Sequence, residues 1–253
     1  MSVTQSPTAA RAQEQRGTST SAYAIFFGTW QIAMYYWIAV VLISAAVTVM
    51  INTWDEVGGS IADGILGSVP FFLAVMGIII PLGTLPLHVA GGGTRRSLFR
   101  GTVAATVALG VSMGLVGALG MLVEYGVFAA RDWPGTVEPA GLYDSSGDFF
   151  GIWLSWSLSG VGYFLGGAAV ALGYYRWGPM LGTVVMLPIV ALVIGGEIAL
   201  GGGITSTDLG GLDGDPTLPA AASVALSLLA SAGVALILHR TLRDLPLSAN
   251  SST

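Results

Sequence analysis

Six long apolar stretches, separated by short polar segments, account for most of this sequence. Each approaches or exceeds the roughly 20 mostly apolar residues that a helix needs to cross a bilayer. The pattern therefore predicts an all-α polytopic membrane protein with six transmembrane helices. The predicted spans are roughly 31–52, 65–89, 102–125, 151–174, 179–200 and 219–239.

The ends of the chain are more polar than this six-span domain, which we assign to residues 19–240. Residues 1–18 are polar and rich in small residues, and they lack the basic start and apolar core of a secretory signal. We therefore predict a disordered cytosolic tail there. Residues 241–253 are predicted to form a second tail. Aromatic residues crowd positions 21–37, which is typical of membrane interfaces. We therefore expect a short interfacial helix over 19–30; a longer first span is the alternative.

The arginines are distributed unevenly between the connections. Eight of the nine basic residues lie in the two tails or in the connections that follow the second and fourth spans, and Arg131 is the exception. Arginine-rich connections stay on the cytosolic side of a membrane. The pattern predicts that both termini are cytosolic. The eight residues are Arg11, Arg16, Arg95, Arg96, Arg100, Arg176, Arg240 and Arg243.

Composition supports a membrane location and excludes several kinds of chemistry. Only 9% of the residues are charged, and the mean hydropathy is +0.76, whereas a soluble domain is about 25% charged. The chain has no lysine and no cysteine, which excludes a phosphate-binding ATPase loop and thiolate metal sites. A G-x-S-x-G pattern at 110–114 lies inside a span, away from both histidines. We expect no catalytic residue, no metal and no cofactor.

Two glutamates and two prolines inside the spans are candidate pathway residues. A carboxylate within a membrane is a functional candidate by default. Counting about 1.5 Å per residue from the arginines places Glu124 and Glu197 near the outer interface, where we expect water-contacting side chains. Pro81 and Pro188 each remove a backbone hydrogen bond, and broken helices occur at transport sites.

The segment AGGGTRRSLFRG at 90–101 holds three of the nine basic residues. Thr94 can cap a helix start, although no Glu or Gln follows three residues later to complete a capping box. Arg96 and Arg100 are four residues apart and share one helix face. Leu98 and Phe99 offer an apolar contact, and the three glycines a flexible lead-in. Either these arginines serve only to fix the orientation of the chain in the membrane, or they belong to a segment on which a partner protein docks.

This layout, together with the sequence GGGTRRSLFRGTVAA at 91–105, resembles the permease subunits of bacterial type-2 ABC exporters. The arrangement of spans and tails is similar over most of the chain, whereas the sequence motif is similar only over residues 91–105. It implies that the loop after the second span forms a short coupling helix on a separate ATPase subunit. The coupling residues it implies are Gly93, Thr94, Arg95, Arg96, Leu98, Phe99 and Arg100.

The resemblance also implies a second permease subunit, identical or related, and a plasma-membrane location. ATP hydrolysis would reside in the separate chain, and the exported substrate stays open. Two other classes are compatible with the sequence. An ion-coupled secondary carrier would need Glu124 or Glu197 to lie deeper in the membrane. A non-transporting sensor or assembly subunit would have no ATPase partner. We expect no nucleic-acid partner.

Overall fold

The described part of the chain is helical, as the sequence predicts. The computed structural model describes residues 7–54, 60–133, 142–201 and 218–243. Within these ranges there is no β-strand, and five helical segments are long and apolar enough to cross a membrane. The described part of the fold is therefore all-helical, and its long apolar helices are compatible with a membrane-embedded protein. The helices are α1 (Pro7–Trp54), α2 (Ile61–Leu66), α3 (Ser68–Ala90), α4 (Arg95–Ala130), α5 (Phe149–Ala199) and α6 (Ala220–Arg243).

Helix α5 is a hairpin of two helices, which we call α5a (149–177) and α5b (179–199). The break lies at Gly178, whose φ of 72° and ψ of −176° are not helical. Positive φ favours glycine, and the following proline cannot donate a backbone hydrogen bond. The two halves fold back on each other, since the Tyr174 and Thr183 hydroxyls lie 2.9 Å apart. They correspond to the fourth and fifth predicted spans.

Helix α1 runs without interruption from Pro7 to Trp54. The predicted disordered tail is therefore wrong for residues 7–18, and the predicted separate helix over 19–30 is wrong as well. The longer first helix, which the sequence left as the alternative, is what the structure shows. Contacts with α4 explain the extension, because the Ser21 hydroxyl donates to the carbonyl of Ser97 at 3.3 Å. Residues 1–6 lie outside the described ranges.

Glycines bring α5a close to both α3 and α4. A Cβ on Gly77 would overlap the carbonyl of Phe164, and one on Gly110 would lie 2.6 Å from the carbonyl oxygen of Ser157. Small residues at helical spacing allow such close packing in membranes. In α4 this close approach occurs at Gly110 and Gly114, whereas Gly120 faces open space.

The prolines do not break their helices. Helix α3 continues through Pro81 and Pro86, and α5b continues through Pro188. The helices are therefore not broken at Pro81 or Pro188, and the break in α5 lies at Gly178 instead. Membrane helices tolerate proline where neighbouring groups satisfy the freed backbone. A pathway role for these prolines stays a prediction.

Candidate functional sites: the basic end and a buried glutamate

Arginines from four parts of the chain meet at one end of the helical bundle, which we call the basic end. Arg100 pairs with Glu14 at 2.9 Å, which joins the start of α4 to the start of α1. Arg95 donates to the carbonyl of Arg243 at 3.2 Å, at the end of α6. Arg176, beside the α5 turn, donates to the carbonyl of Arg240 at 2.9 Å. The grouping expected from the arginine pattern is therefore present in the fold.

The segment 90–101 forms a tight turn followed by the first turns of α4. Gly92 has a φ of 79°, and the amide of Gly93 donates to the carbonyl of His88 at 2.8 Å. A Cβ on Gly93 would overlap the His88 ring, so the residue must be small. These contacts define the conformation of the turn, and the expected flexibility of the lead-in stays a prediction.

Thr94 caps α4, as predicted, and the capping box is complete. The amide of Ser97 donates to Thr94 Oγ1 at 3.0 Å, and the amide of Thr94 donates back to Ser97 Oγ at 3.1 Å. The expectation of an incomplete box is wrong because a serine fills the place of Glu or Gln. Helix α4 then continues to Ala130. Residues 95–100 are therefore not a separate short coupling helix.

The predicted coupling residues divide into an exposed and a buried group. The side chains of Arg96 and Arg100 are 66% and 48% exposed. Phe99 is half-buried, with its ring centroid 4.7 Å from that of His239 on α6. Leu98 is only 1% exposed and belongs to the core. A partner could therefore reach the two arginines, but Leu98 cannot supply the predicted apolar contact.

Two open grooves flank Arg96. One, of about 610 Å³, lies between α1 and α4 and is lined by Arg11, Glu14, Arg96 and Arg100 among others. The other, of about 490 Å³, lies between α4 and α6. Its lining residues are Arg95, Arg96, His239, Leu242 and Arg243. The two grooves are lined by five arginines and by one acidic residue, Glu14. Their surface is therefore positively charged and attracts acidic groups.

Glu124 has a structural role at the opposite end of the bundle. Its carboxylate accepts hydrogen bonds from the amides of Ile61 at 2.6 Å and Ala62 at 2.8 Å, and from the Ser60 hydroxyl at 2.9 Å. These groups form the start of α2, where free amides and the helix dipole favour a negative charge. Sequence reasoning missed this role because α2 itself was not predicted; Ser60 before an apolar run was the available signal.

The loop before α5 adds a second polar contact at this opposite end. The Tyr143 hydroxyl donates to Asp63 Oδ1 at 3.2 Å. Burial raises the pKa of Tyr143, and the neighbouring Asp63 carboxylate raises it further. The tyrosine therefore stays protonated and tethers the loop to α2.

Glu197 is buried, contrary to the prediction of a water-contacting side chain. It is 7% exposed, and its Oε2 accepts a hydrogen bond from Ser159 at 2.7 Å. The prediction failed because the end of α5b is itself buried, with Ala199 and Leu200 only 6% and 1% exposed. Its partner Ser159 lies about 15 Å along α5a from Phe149, at 1.5 Å per residue. A cavity of about 10 Å³ adjoins the carboxyl group.

Within the described ranges, no three His, Cys, Asp or Glu side chains come together as a metal site would need. The comparisons with known proteins give no further guide to the function of either site. No protein-family model, no curated protein and no solved structure matches this chain.

Proposed function

We propose that the chain is the membrane-embedded permease subunit of an ATP-driven exporter. A separate ATPase subunit docks on the basic end, and its motion reaches the membrane through the first turns of α4. A second permease subunit, identical or related, completes the transport pathway in the plasma membrane. This proposal rests on the resemblance at 91–105 and on the arrangement of the basic end.

The proposal includes six membrane crossings, with α5a and α5b each crossing once. Both termini then lie in the cytosol together with the basic end. The arginine distribution supports this orientation, because arginine-rich connections stay on the cytosolic side. The backbone break at Gly178 beside Arg176 supports a turn at that surface.

The observation that carries the proposal is the continuity of α4. The capped start at Thr94 exposes Arg96 and Arg100, and the same helix packs against α5a at Gly110 and Gly114. A displacement of the exposed arginines by a partner therefore moves a rigid element that contacts the centre of the bundle. Arginines are common anchors in protein interfaces, which suits the docking role.

The burial of Glu197 favours a second candidate, an ion-coupled carrier. Such a carrier needs a carboxyl group within the membrane, and Glu197 is enclosed by α5a, α5b and α6. The two candidates differ in one testable respect, since only the exporter needs a separate ATPase.

Co-purification from native membranes tests the proposal. The tagged chain is compared with an Arg96→Ala/Arg100→Ala variant and with Arg131→Ala, which removes an arginine from the opposite end. We expect the wild type and Arg131→Ala to retain a chain that carries the G-x-x-x-x-G-K-[ST] loop and hydrolyses MgATP. The double variant should retain at least about tenfold less, because arginine is enriched among the residues that contribute most to interfaces and a loss of about 1.4 kcal/mol is already a tenfold change in affinity.

Equal thermal unfolding of the three purified chains shows that any loss of partner is not a loss of fold. If no such ATPase accompanies the wild type, the exporter proposal is wrong and the carrier becomes the better account. Retention of the ATPase by the double variant would contradict the role of the two arginines.

A further inference from the structure

Among the described residues, those that line the cavity beside Glu197 include hydroxyl groups but no cationic side chain. The cavity beside its carboxyl group is lined by Ser159, Tyr163, Ser227, Ser231 and a set of apolar residues and glycines. Eight of the nine arginines belong to the basic end or its flanking segments. Arg176, the arginine that follows Ser159 along α5a, is about 26 Å away at 1.5 Å per residue.

Few hydrogen-bond donors from the described residues reach the carboxyl group of Glu197. Oε2 accepts from the Ser159 hydroxyl at 2.7 Å, and no donor in the described part of the chain lies within hydrogen-bonding distance of Oε1. Glu124 offers a contrast in the same protein, because three donors surround its carboxylate at a helix start. A buried carboxylate needs such compensation, and a carboxyl group that lacks it becomes neutral instead.

The adjoining cavity has room for a hydrogen-bonding partner. Its volume of about 10 Å³ approaches the space that one water molecule requires. Gly162 and Gly196 leave this space open, since a Cβ on Gly162 would lie 3.6 Å from the Ser231 hydroxyl. A protonated carboxyl group can donate into this cavity, whereas a carboxylate can only accept.

We propose that Glu197 is a proton-binding site whose carboxyl group is held in the neutral, protonated form at neutral pH. Two other titratable groups interact electrostatically with it, Tyr163 on α5a and Tyr143 in the loop before α5. Helix α6 presents only the serines and apolar residues to the cavity. The proposal does not depend on an ATPase partner, and its test is independent of that assignment.

Infrared difference spectroscopy on the purified full-length chain tests the proposal directly. The spectrum of Glu197→Gln is subtracted from that of the wild type at neutral pH. We expect the difference to show the C=O stretching band of a carboxylic acid. The matched control is Glu124→Gln, whose difference should show the two carboxylate stretching bands, because three hydrogen-bond donors surround the Glu124 oxygens.

The Ser159→Ala variant gives a second measurement that keeps Glu197 in place. Loss of the Ser159 hydroxyl, the donor to Oε2 among the described residues, should shift the acid band of Glu197 to higher wavenumber. Carboxylate bands in the Glu197→Gln difference would overturn the proposal. Should Glu197→Gln not fold, the absence of a shifted acid band in Ser159→Ala would overturn it equally.

Discussion

The hydroxyl groups of Thr94 and Ser97 determine how the basic end is built. They satisfy each other's backbone amides, and Ser97 Oγ also lies 2.9 Å from Nε2 of the buried His88. The same two residues therefore fix the start of α4 and attach it to the end of α3. Any force applied at Arg96 and Arg100 acts on an anchored helix end.

Replacing Thr94 tests this anchoring. Thr94→Ala should lower the free energy of unfolding by about 1 kcal/mol, because an amide at the helix start loses its acceptor. Thr94→Ser keeps the hydroxyl and should remain within a few tenths of a kcal/mol of the wild type. Thermal unfolding in detergent measures both. Equal losses in the two variants would show that the hydroxyl does not stabilise the helix start.

Residue roles were predictable from sequence only where they are local. Thr94 was identified as a cap because capping depends on neighbours in the chain. Glu124 and Glu197 look alike in sequence, yet Glu124 caps a distant helix, whereas Glu197 is enclosed by α5a, α5b and α6. Their roles depend on contacts between residues far apart in the chain. Counting residues along a helix from the arginines gives the depth of a side chain but does not predict such contacts.

At the scale of elements, glycine faces determine how closely the helices approach. Gly77 on α3 lies directly against the backbone of Phe164 on α5a, which cannot move aside as a side-chain end could. Gly83, on the same helix, has no neighbouring atom within 4 Å of where its Cβ would lie. The two positions therefore form a matched pair.

Gly77→Ala should destabilise the chain by about 1–3 kcal/mol or more, since the added methyl group forces α3 and α5a apart. Gly83→Ala should be neutral or stabilising by up to about 1 kcal/mol, because alanine favours a helix over glycine. Urea or thermal unfolding in detergent compares the two. A Gly77→Ala variant as stable as Gly83→Ala would contradict the close packing of these helices.

The elements themselves were largely predictable, because apolar stretches of sufficient length are read directly from the chain. The α5 turn between residues 174 and 179 was anticipated by the polar connection there. The extension of α1 to Pro7 was not, because its polar first turns carry no apolar periodicity. They are ordered by tertiary contacts such as that of Glu14 with Arg96 and Arg100.

At the scale of the whole molecule, the account depends on the hairpin of α5a and α5b. If both halves cross the membrane, the turn at Gly178 lies at the same surface as the start of α4. The contact of Arg176 with the end of α6 joins this turn to the basic end. The arginine pattern predicted this grouping. The burial of the end of α5b at Glu197 was not predictable, because it depends on the packing of α5a, α5b and α6.

The most direct test labels single cysteines from either side of the membrane. The chain has no cysteine of its own, so Met180→Cys and Ser145→Cys each introduce a unique thiol. Both positions are exposed, Met180 just after the α5 break and Ser145 in the loop before α5. The probe is a membrane-impermeant maleimide, applied to intact cells and to permeabilised cells.

The account predicts that Ser145→Cys reacts in intact cells and that Met180→Cys reacts only after permeabilisation. That result places the two ends of α5a on opposite sides of the membrane, with the basic end in the cytosol. Reaction of both thiols in intact cells, or no reaction of Met180→Cys under either condition, would contradict the six-crossing arrangement.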